Sequence, residues 1–361
     1  MHAAELAFKH PASGDELVLR APADWVTDPR LLLRGALVDQ NVTNAWRVLH
    51  GGSDSCPGWH VDRLGDYLLS ESERPLNEAQ GDELARLRKA FAARGAYHKV
   101  LRRHGLRSAQ PSAHKPGQEC RLEASPQHFL GGQAPERFFI RENGAQFELS
   151  FRDGPSVGLF LDQRDNRRRM ITGHIGAGFP LYSQSQQAPA VLNAFAYTCA
   201  FSICAAKGGG RTTSLDLSKA HLDWGRRNFA LNGVDPAGHE FIHGDAFQWL
   251  RRLARKQRRF DAVLLDPPTF SRSKVSGVFR IQKDYGRLLA AALPLVKPGG
   301  VLLASSNAAD WPAQEFLTSI EIALRSSGRN IVQRLYIPQP VDFPISRSEP
   351  AYLKTLWMRI E

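Results

Sequence analysis

The stretch FDAVLLDPPTFSRSK, residues 260–274, puts a carboxylate and two rigid residues at one point of the chain. A nearly continuous apolar run stops at Asp266. Pro267 and Pro268 follow, then an aromatic, Phe270, and a basic, hydroxyl-rich segment. A run apolar on both faces reads as a central strand of a parallel sheet. Proline offers no backbone donor and fixes φ, so the strand must end at Asp266. The carboxylate then stands at the carboxyl edge of the sheet, where open α/β sheets bind ligands. Taken alone, such an acid is better explained as a cap in a tight turn, so its neighbours decide.

Two further acids follow strand-like runs in the same way: Asp216 in SLDLSKAHLDWGRRNFALNG and Asp245 in HGDAFQWL. An acid after the second strand of a doubly wound sheet suits ribose hydroxyls. One after the third can accept an exocyclic adenine amine. One after the fourth, beside fixed prolines, lies near the reacting centre. Three in register describe an adenosine-type cofactor site. The first turn, NAFAYTCAFS, contains no glycine, so the G-x-G-x-x-G that a pyrophosphate requires is missing and a nicotinamide dinucleotide is a poor fit. S-adenosylmethionine has no phosphate and carries a positive sulfonium, which acids favour.

The elements that would position these residues alternate. Strands are expected at 190–196, 212–217, 239–244, 260–266 and 300–306, with helices at 200–207, 219–232, 246–256 and 282–296. Two final strands, 331–338 and 352–360, would complete a seven-stranded α/β sheet. Ahead of it, residues 47–152 read as a small α+β domain. Its helix over NEAQGDELARLRKAFAARG shows Leu84, Leu87 and Phe91 at helical spacing and is stopped by Gly95, and a hairpin turns at Asn143-Gly144. Residues 1–46 form an N-terminal extension, with one helix near 31–38. Residues 153–361 form the cofactor domain, and 176–189 a polar connector.

The chain has 361 residues and a formal charge of +11, with basic clusters at Arg102-Arg103-His104, at 164–169 and at 251–259. That balance points to a polyanion, RNA or DNA. Four scattered cysteines (Cys56, Cys120, Cys199, Cys204) make neither a disulfide framework nor a zinc site, and no metal is expected. No apolar run is long enough to span a membrane, and a cytoplasmic location is expected. The histidines, His221 among them, read as ordinary surface or packing residues.

Several ordered motifs resemble one family through most of the chain: RVLHGGSDSCPGWHVDRLGDYLL, VGLFLDQRDNRR, VLNAFAYTCAFS, LDLSKAHLDWGRRNFALNG, HGDAFQWL, LLDPPTFSRSK and DFPISRSEPAYLKTLW. The chain looks like the class I, S-adenosylmethionine-dependent 23S ribosomal RNA methyltransferases that form 5-methylcytosine or 7-methylguanine. The resemblance implies a Rossmann-like seven-stranded methyltransferase sheet. Phe160 and Arg164 would close over the methionine end of the cofactor, with Arg164 pairing its carboxylate. Asn193, Ala194, Phe195 and Ala196 would form the floor. Asp216 would hold the ribose, Leu217 and Ala246 would flank the adenine, and Asp245 would accept its amine. Asp266, Pro267, Pro268 and Phe270 would face the target base, with Arg272 and Lys274 reaching phosphates.

Two positions depart from the family pattern. Cys199 stands where glycine is usual; a cysteine favours negative φ, so either a reshaped turn or weaker cofactor binding is expected. Asn307, in LLASSNAAD, stands where the 5-methylcytosine enzymes carry the cysteine that activates the ring. A ring nitrogen needs no such activation, so methyl transfer to a nitrogen such as guanine N7 is expected, with Asn307 and Asp266 orienting the base. The family's usual N-terminal RNA-binding module is expected to be absent or cut down. Two other readings are a non-catalytic RNA-binding or ribosome-assembly factor that keeps the fold, and a small-molecule methyltransferase.

Overall fold

A computed structural model describes residues 5–9, 14, 16–20, 28–101, 125–154, 156–182, 188–273, 275–347 and 349–361. Arg102, Arg103, His104, Cys120 and Lys274 lie outside the described residues.

Strands β1 (Glu5–Lys9) and β2 (Glu16–Arg20) pair as a hairpin, and helix α1 (Pro29–Leu37) follows. A five-stranded sheet then forms in chain order from β3 (Ala45–His50), β4 (Trp59–Leu64), β5 (Tyr67–Ser72), β6 (Gly95–Val100) and β7 (Gln127–Gly131). Helix α2 (Glu78–Ala90) crosses between β5 and β6 and makes that pair parallel. Leu84 and Leu87 are fully buried, as their spacing predicts. The helix ends at Ala90, ahead of Gly95, which instead opens β6 where any side chain would collide with the Gly132 carbonyl. Strands β8 (Phe138–Glu142) and β9 (Ala145–Leu149) turn at Asn143-Gly144, both with positive φ, as the Asn-Gly pair predicts. Helix α3 (Arg164–Thr172) and a short hairpin of β10 (His174–Gly176) and β11 (Phe179–Pro180) come next. The described start of the expected polar connector is thus packed structure: Phe179 and Leu181 are buried.

The large sheet contains β12 (Ala190–Ala194), β13 (Arg211–Asp216), β14 (Glu240–His243) and β15 (Phe260–Leu265). A hairpin of β16 (Phe270–Ser273) and β17 (Gly277–Arg280) leaves the sheet before β18 (Val296–Ser306), β19 (Ile331–Ile337) and β20 (Lys354–Ile360) rejoin it. The order is β14-β13-β12-β15-β18-β20-β19, parallel except for β20, which runs antiparallel to both neighbours. This is the expected Rossmann-like sheet of seven strands. Helices α4 (Ala200–Lys207), α5 (Lys219–Leu231), α6 (Ala246–Arg255), α7 (Ile281–Ala292) and α8 (Ala313–Ser327) accompany it. Helices α3 and α8 and the β16–β17 hairpin are additions to the elements expected from the sequence.

Every residue of β15 is buried, and its side chains alternate between two cores. Ala262 and Leu264 join a cluster with Phe201, Phe229 and Trp357 that continues into Tyr67, Tyr97 and Phe138 of the smaller sheet and hairpin. Val263 and Leu265 join another with Leu250, Leu289 and Phe316. The strand order reverses direction between β12 and β15, so the carboxyl ends of these strands open a crevice there.

Candidate active site

That crevice holds a cavity of about 400 Å³. Its lining includes Phe195 after β12, Asp216 at the end of β13, Asp245 beyond β14, Asp266 after β15 and Asn307 after β18. Four carboxylates, Asp162, Asp216, Asp245 and Asp266, share it with the apolar side chains of Phe160, Phe195, Leu215, Phe247 and Phe279.

Each acid is fixed by its element. Asp216 accepts from the Tyr197 and Ser218 amides, both at 2.8 Å, which locks the strand end to the first turn. The His221 ring lies 3.6 Å from the same carboxylate and meets the Tyr197 ring edge-on at 4.6 Å. Asp245 caps α6 by accepting from the Gln248 amide at 3.0 Å. Its two oxygens also accept the Ser273 and Ser276 hydroxyls, each at 2.6 Å, so the β16–β17 hairpin is pinned over the cavity. These donors outweigh burial and hold the Asp245 carboxyl below its ordinary range.

Asp266 is held differently. The register of β15 against β18 pairs Leu265 with Ala304 and thereby sets Asp266 beside Ser305. Gln163, from the turn ahead of α3, donates to Asp266 Oδ1 at 3.1 Å and to Ser305 Oγ at 2.8 Å. Burial, with the neighbouring Asp162 adding to it, pushes the Asp266 carboxyl up to about 6 against the pull of the Ser305 and Gln163 hydrogen bonds. Pro267 and Pro268 line the cavity beside it, and Asn307 completes that side.

The first turn takes a left-handed backbone at Phe195, Tyr197 and Cys199, with φ of 64°, 49° and 63°. The expected aversion of Cys199 to this conformation is therefore overruled. Its side chain has room because residue 225 of α5 is glycine: a β-carbon there would collide with the Cys199 sulfur.

Several expected positions are corrected. Arg164 does not line the cavity; it is buried in a two-pronged ion pair with Asp342, at 2.8 and 2.5 Å. Asn193 lies beneath the turn and donates to Ser202 at 2.9 Å, while Ala194 and Ala196 are buried outside the lining, so Phe195 alone of the four reaches the wall. Phe270 stands outside the cavity, 57% exposed on the outer face of the hairpin. Leu217, Ala246 and Phe160 are in the wall. Sequence reasoning missed Gln163, Tyr197, Ser273, Ser276 and Phe279, and set His221 aside. The basic run at 164–169 is not a polyanion face either: Arg167 is buried against Glu142 and Arg169 is tied to backbone carbonyls.

The pattern of the S-adenosylmethionine-dependent methyltransferase family matches residues 75–359. The chain belongs to that family. This methyltransferase is 33% identical over 352 residues to a ribosomal RNA large subunit methyltransferase of Deinococcus radiodurans, an alignment covering 97% of this chain and 81% of that protein. It is 31% identical to ribosomal RNA large subunit methyltransferase I of Aeromonas salmonicida, covering 90% and 77%. A solved methyltransferase structure complexed with SAH superimposes with a TM-score of 0.75 at 29% identity, covering 91% of this chain and 79% of that one.

The cofactor of the methyltransferase is S-adenosylmethionine, and the cavity suits it. Four carboxylates around an apolar slot favour a cationic sulfonium, and the glycine-free turn lacks the cradle a pyrophosphate needs. Among the described residues, no cysteine lines the cavity. Burial pushes the thiols of Cys199 and Cys204 up to about 12, so neither is a thiolate at neutral pH.

Proposed function

We propose that this methyltransferase modifies a base of large-subunit ribosomal RNA, at a ring nitrogen such as guanine N7 rather than at cytosine C5. The observation that carries the choice of atom is Asn307 just after β18, in a wall to which no described cysteine contributes a thiol. Cytosine C5 needs a nucleophile to add to the ring first, whereas a ring nitrogen already carries the lone pair that takes the methyl group. Positioning and exclusion of water are then the main demands on the protein.

Bound S-adenosylmethionine supplies an electrophilic methyl group. In this reading Asp216 and Leu217 hold the ribose and one face of the adenine, while Ala246 and Asp245 meet its other edge. Phe160 and Tyr197, ring centroids 5.6 Å apart, close the cavity near the reacting end. Asp266 accepts base N–H groups, Asn307 donates to a ring carbonyl, and Pro267 and Pro268 keep that rim rigid. Phe270 offers a stacking face and Arg272 a phosphate contact on the outside of the hairpin.

The relatives named above act, by their names, on ribosomal RNA, and charge supports the same substrate here. Arg251 and Arg255 of α6 join Arg287 and the hairpin tip in a groove of about 270 Å³ beside the cavity. Residues 47–152 are proposed as a domain that helps capture RNA, and the cytoplasm as the place of action.

Mass spectrometry of 23S-type ribosomal RNA nucleosides, with and without the gene, tests the reading. The expected outcome is loss of one 7-methylguanosine. Loss of a 5-methylcytidine, or no change in any methylated nucleoside, overturns it.

A further inference from the structure

The contact between Gln163 and Asp266 is the last link of a buried chain of side chains. The Trp357 indole nitrogen lies 2.9 Å from Asn166 Oδ1. Asn166 Nδ2 lies 2.7 Å from Gln163 Oε1 and 3.4 Å from Thr355 Oγ1. Gln163 Nε2 then reaches Ser305 Oγ and Asp266 Oδ1. Gln163 is 3% exposed, Asn166 2%, and Trp357, Thr355 and Ser305 are fully buried, so water cannot substitute for any partner.

The direction of this chain is not free. An indole N–H only donates, so the Asn166 atom facing it must be the oxygen. Thr355 spends its own proton on the Ile337 carbonyl at 2.5 Å, so it can only accept from Asn166, which fixes the same orientation independently. The Asn166 amide nitrogen must then face Gln163, whose oxygen takes that bond. The Gln163 nitrogen is left facing Ser305 and Asp266.

We propose that Gln163 is the positioning residue that presents Asp266 to the target base as an acceptor, and that Asn166 and Trp357 impose its orientation from the core. The proposal deepens the functional reading above, since it rests on Asp266 facing the base. A carboxylate supported by two donors stays an acceptor and selects bases with N–H groups on the bound edge. A reversed Gln163 would aim its oxygen at Asp266 and drive the carboxyl toward its protonated, donating form.

Asn166→Asp is the decisive variant. It keeps the size of the side chain and an acceptor for Trp357 but has no N–H for Gln163, so the relay must invert. Inverting a hydrogen bond to a charged group should lower kcat/KM on an rRNA fragment roughly 10- to 100-fold. The acid limb of the pH–rate profile should move up by about one unit or more. Calorimetric affinity for S-adenosylmethionine should stay within about twofold, because no relay bond touches the adenosine side of the cavity. Gln163→Met, which removes the donor without adding a charge, should raise the Asp266 carboxyl in a carbon-13 NMR titration of the substrate-free protein, and serves if Asn166→Asp does not fold. An unmoved acid limb in folded Asn166→Asp, or an unmoved Asp266 titration in Gln163→Met, overturns the relay. The NMR arm needs no RNA. A wild type that titrates as described but methylates no RNA would sink the substrate reading alone.

Discussion

At the scale of single residues, Asp266, proposed to face the target base, lines the cavity at a cost to stability. Its carboxyl is pushed from an ordinary 3.8 up to about 6, chiefly by burial. Between those values the folded chain binds more protons than the unfolded one. This group's contribution to stability is therefore favourable in acid, is lost as pH rises through that window, and is absent above it. Two units correspond to at most about 3 kcal/mol, and partial access of solvent reduces that. Asp266→Asn should accordingly stabilise the protein by about 1–2 kcal/mol at pH 7.5, with the gain vanishing near pH 4. Methyl transfer should drop at least about 100-fold. Urea unfolding at the two pH values checks this, and equal stability changes at both would contradict it. The acid itself was legible in the sequence, because a proline pair must end a central strand. Gln163 was not, because its partners come from residues 266 and 305, and only the pairing of β15 with β18 brings those together.

At the scale of elements, the first turn shows where local rules yield to packing. Cysteine at φ 63° carries a strain of about 1–3 kcal/mol, yet the chain keeps it. The compensation lies on α5, where Gly225 vacates the volume the sulfur occupies. A helix-interior glycine is itself costly by about 1 kcal/mol, so the two residues form a matched pair. Gly225→Ala alone should destabilise by about 1–3 kcal/mol through overpacking. In a Cys199→Gly background the same change should be neutral or stabilising by about 1 kcal/mol, since the clash is gone and alanine favours the helix. A double-mutant cycle by chemical denaturation should give a coupling of about 2 kcal/mol or more, and additive effects would refute the pairing. The departure at Cys199 was visible in the sequence, but its partner, in contact with it in space yet 26 positions along the chain, was not. The β16–β17 hairpin escaped notice for a related reason. TFSRSK shows no apolar alternation, and what holds the hairpin is Phe279 in the core and two serines on Asp245.

At the scale of the whole molecule, Asp342 ties three parts of the chain together. It lies between β19 and β20, is fully buried, and accepts both prongs of Arg164 on α3 and the Arg47 amide on β3 at 3.0 Å. Glu349, from the same connection, accepts from the Ser53 amide at 3.0 Å. The alternation of strands and helices made the large sheet legible, but an ion pair spanning 178 positions leaves no local signature, and FLDQR alone aimed Arg164 at the cofactor. The two assignments of Arg164 predict opposite outcomes. As a clamp, its loss leaves a buried carboxylate unpaired, so Arg164→Met should destabilise by about 3–5 kcal/mol, while Arg164→Met with Asp342→Leu recovers most of that loss. The folded double variant should bind S-adenosylmethionine within about twofold of the wild type, because neither side chain reaches the cavity wall. Were Arg164 a cofactor ligand instead, the same double variant would lose a charge-assisted, two-pronged bond and at least about tenfold in calorimetric affinity, however stable it was.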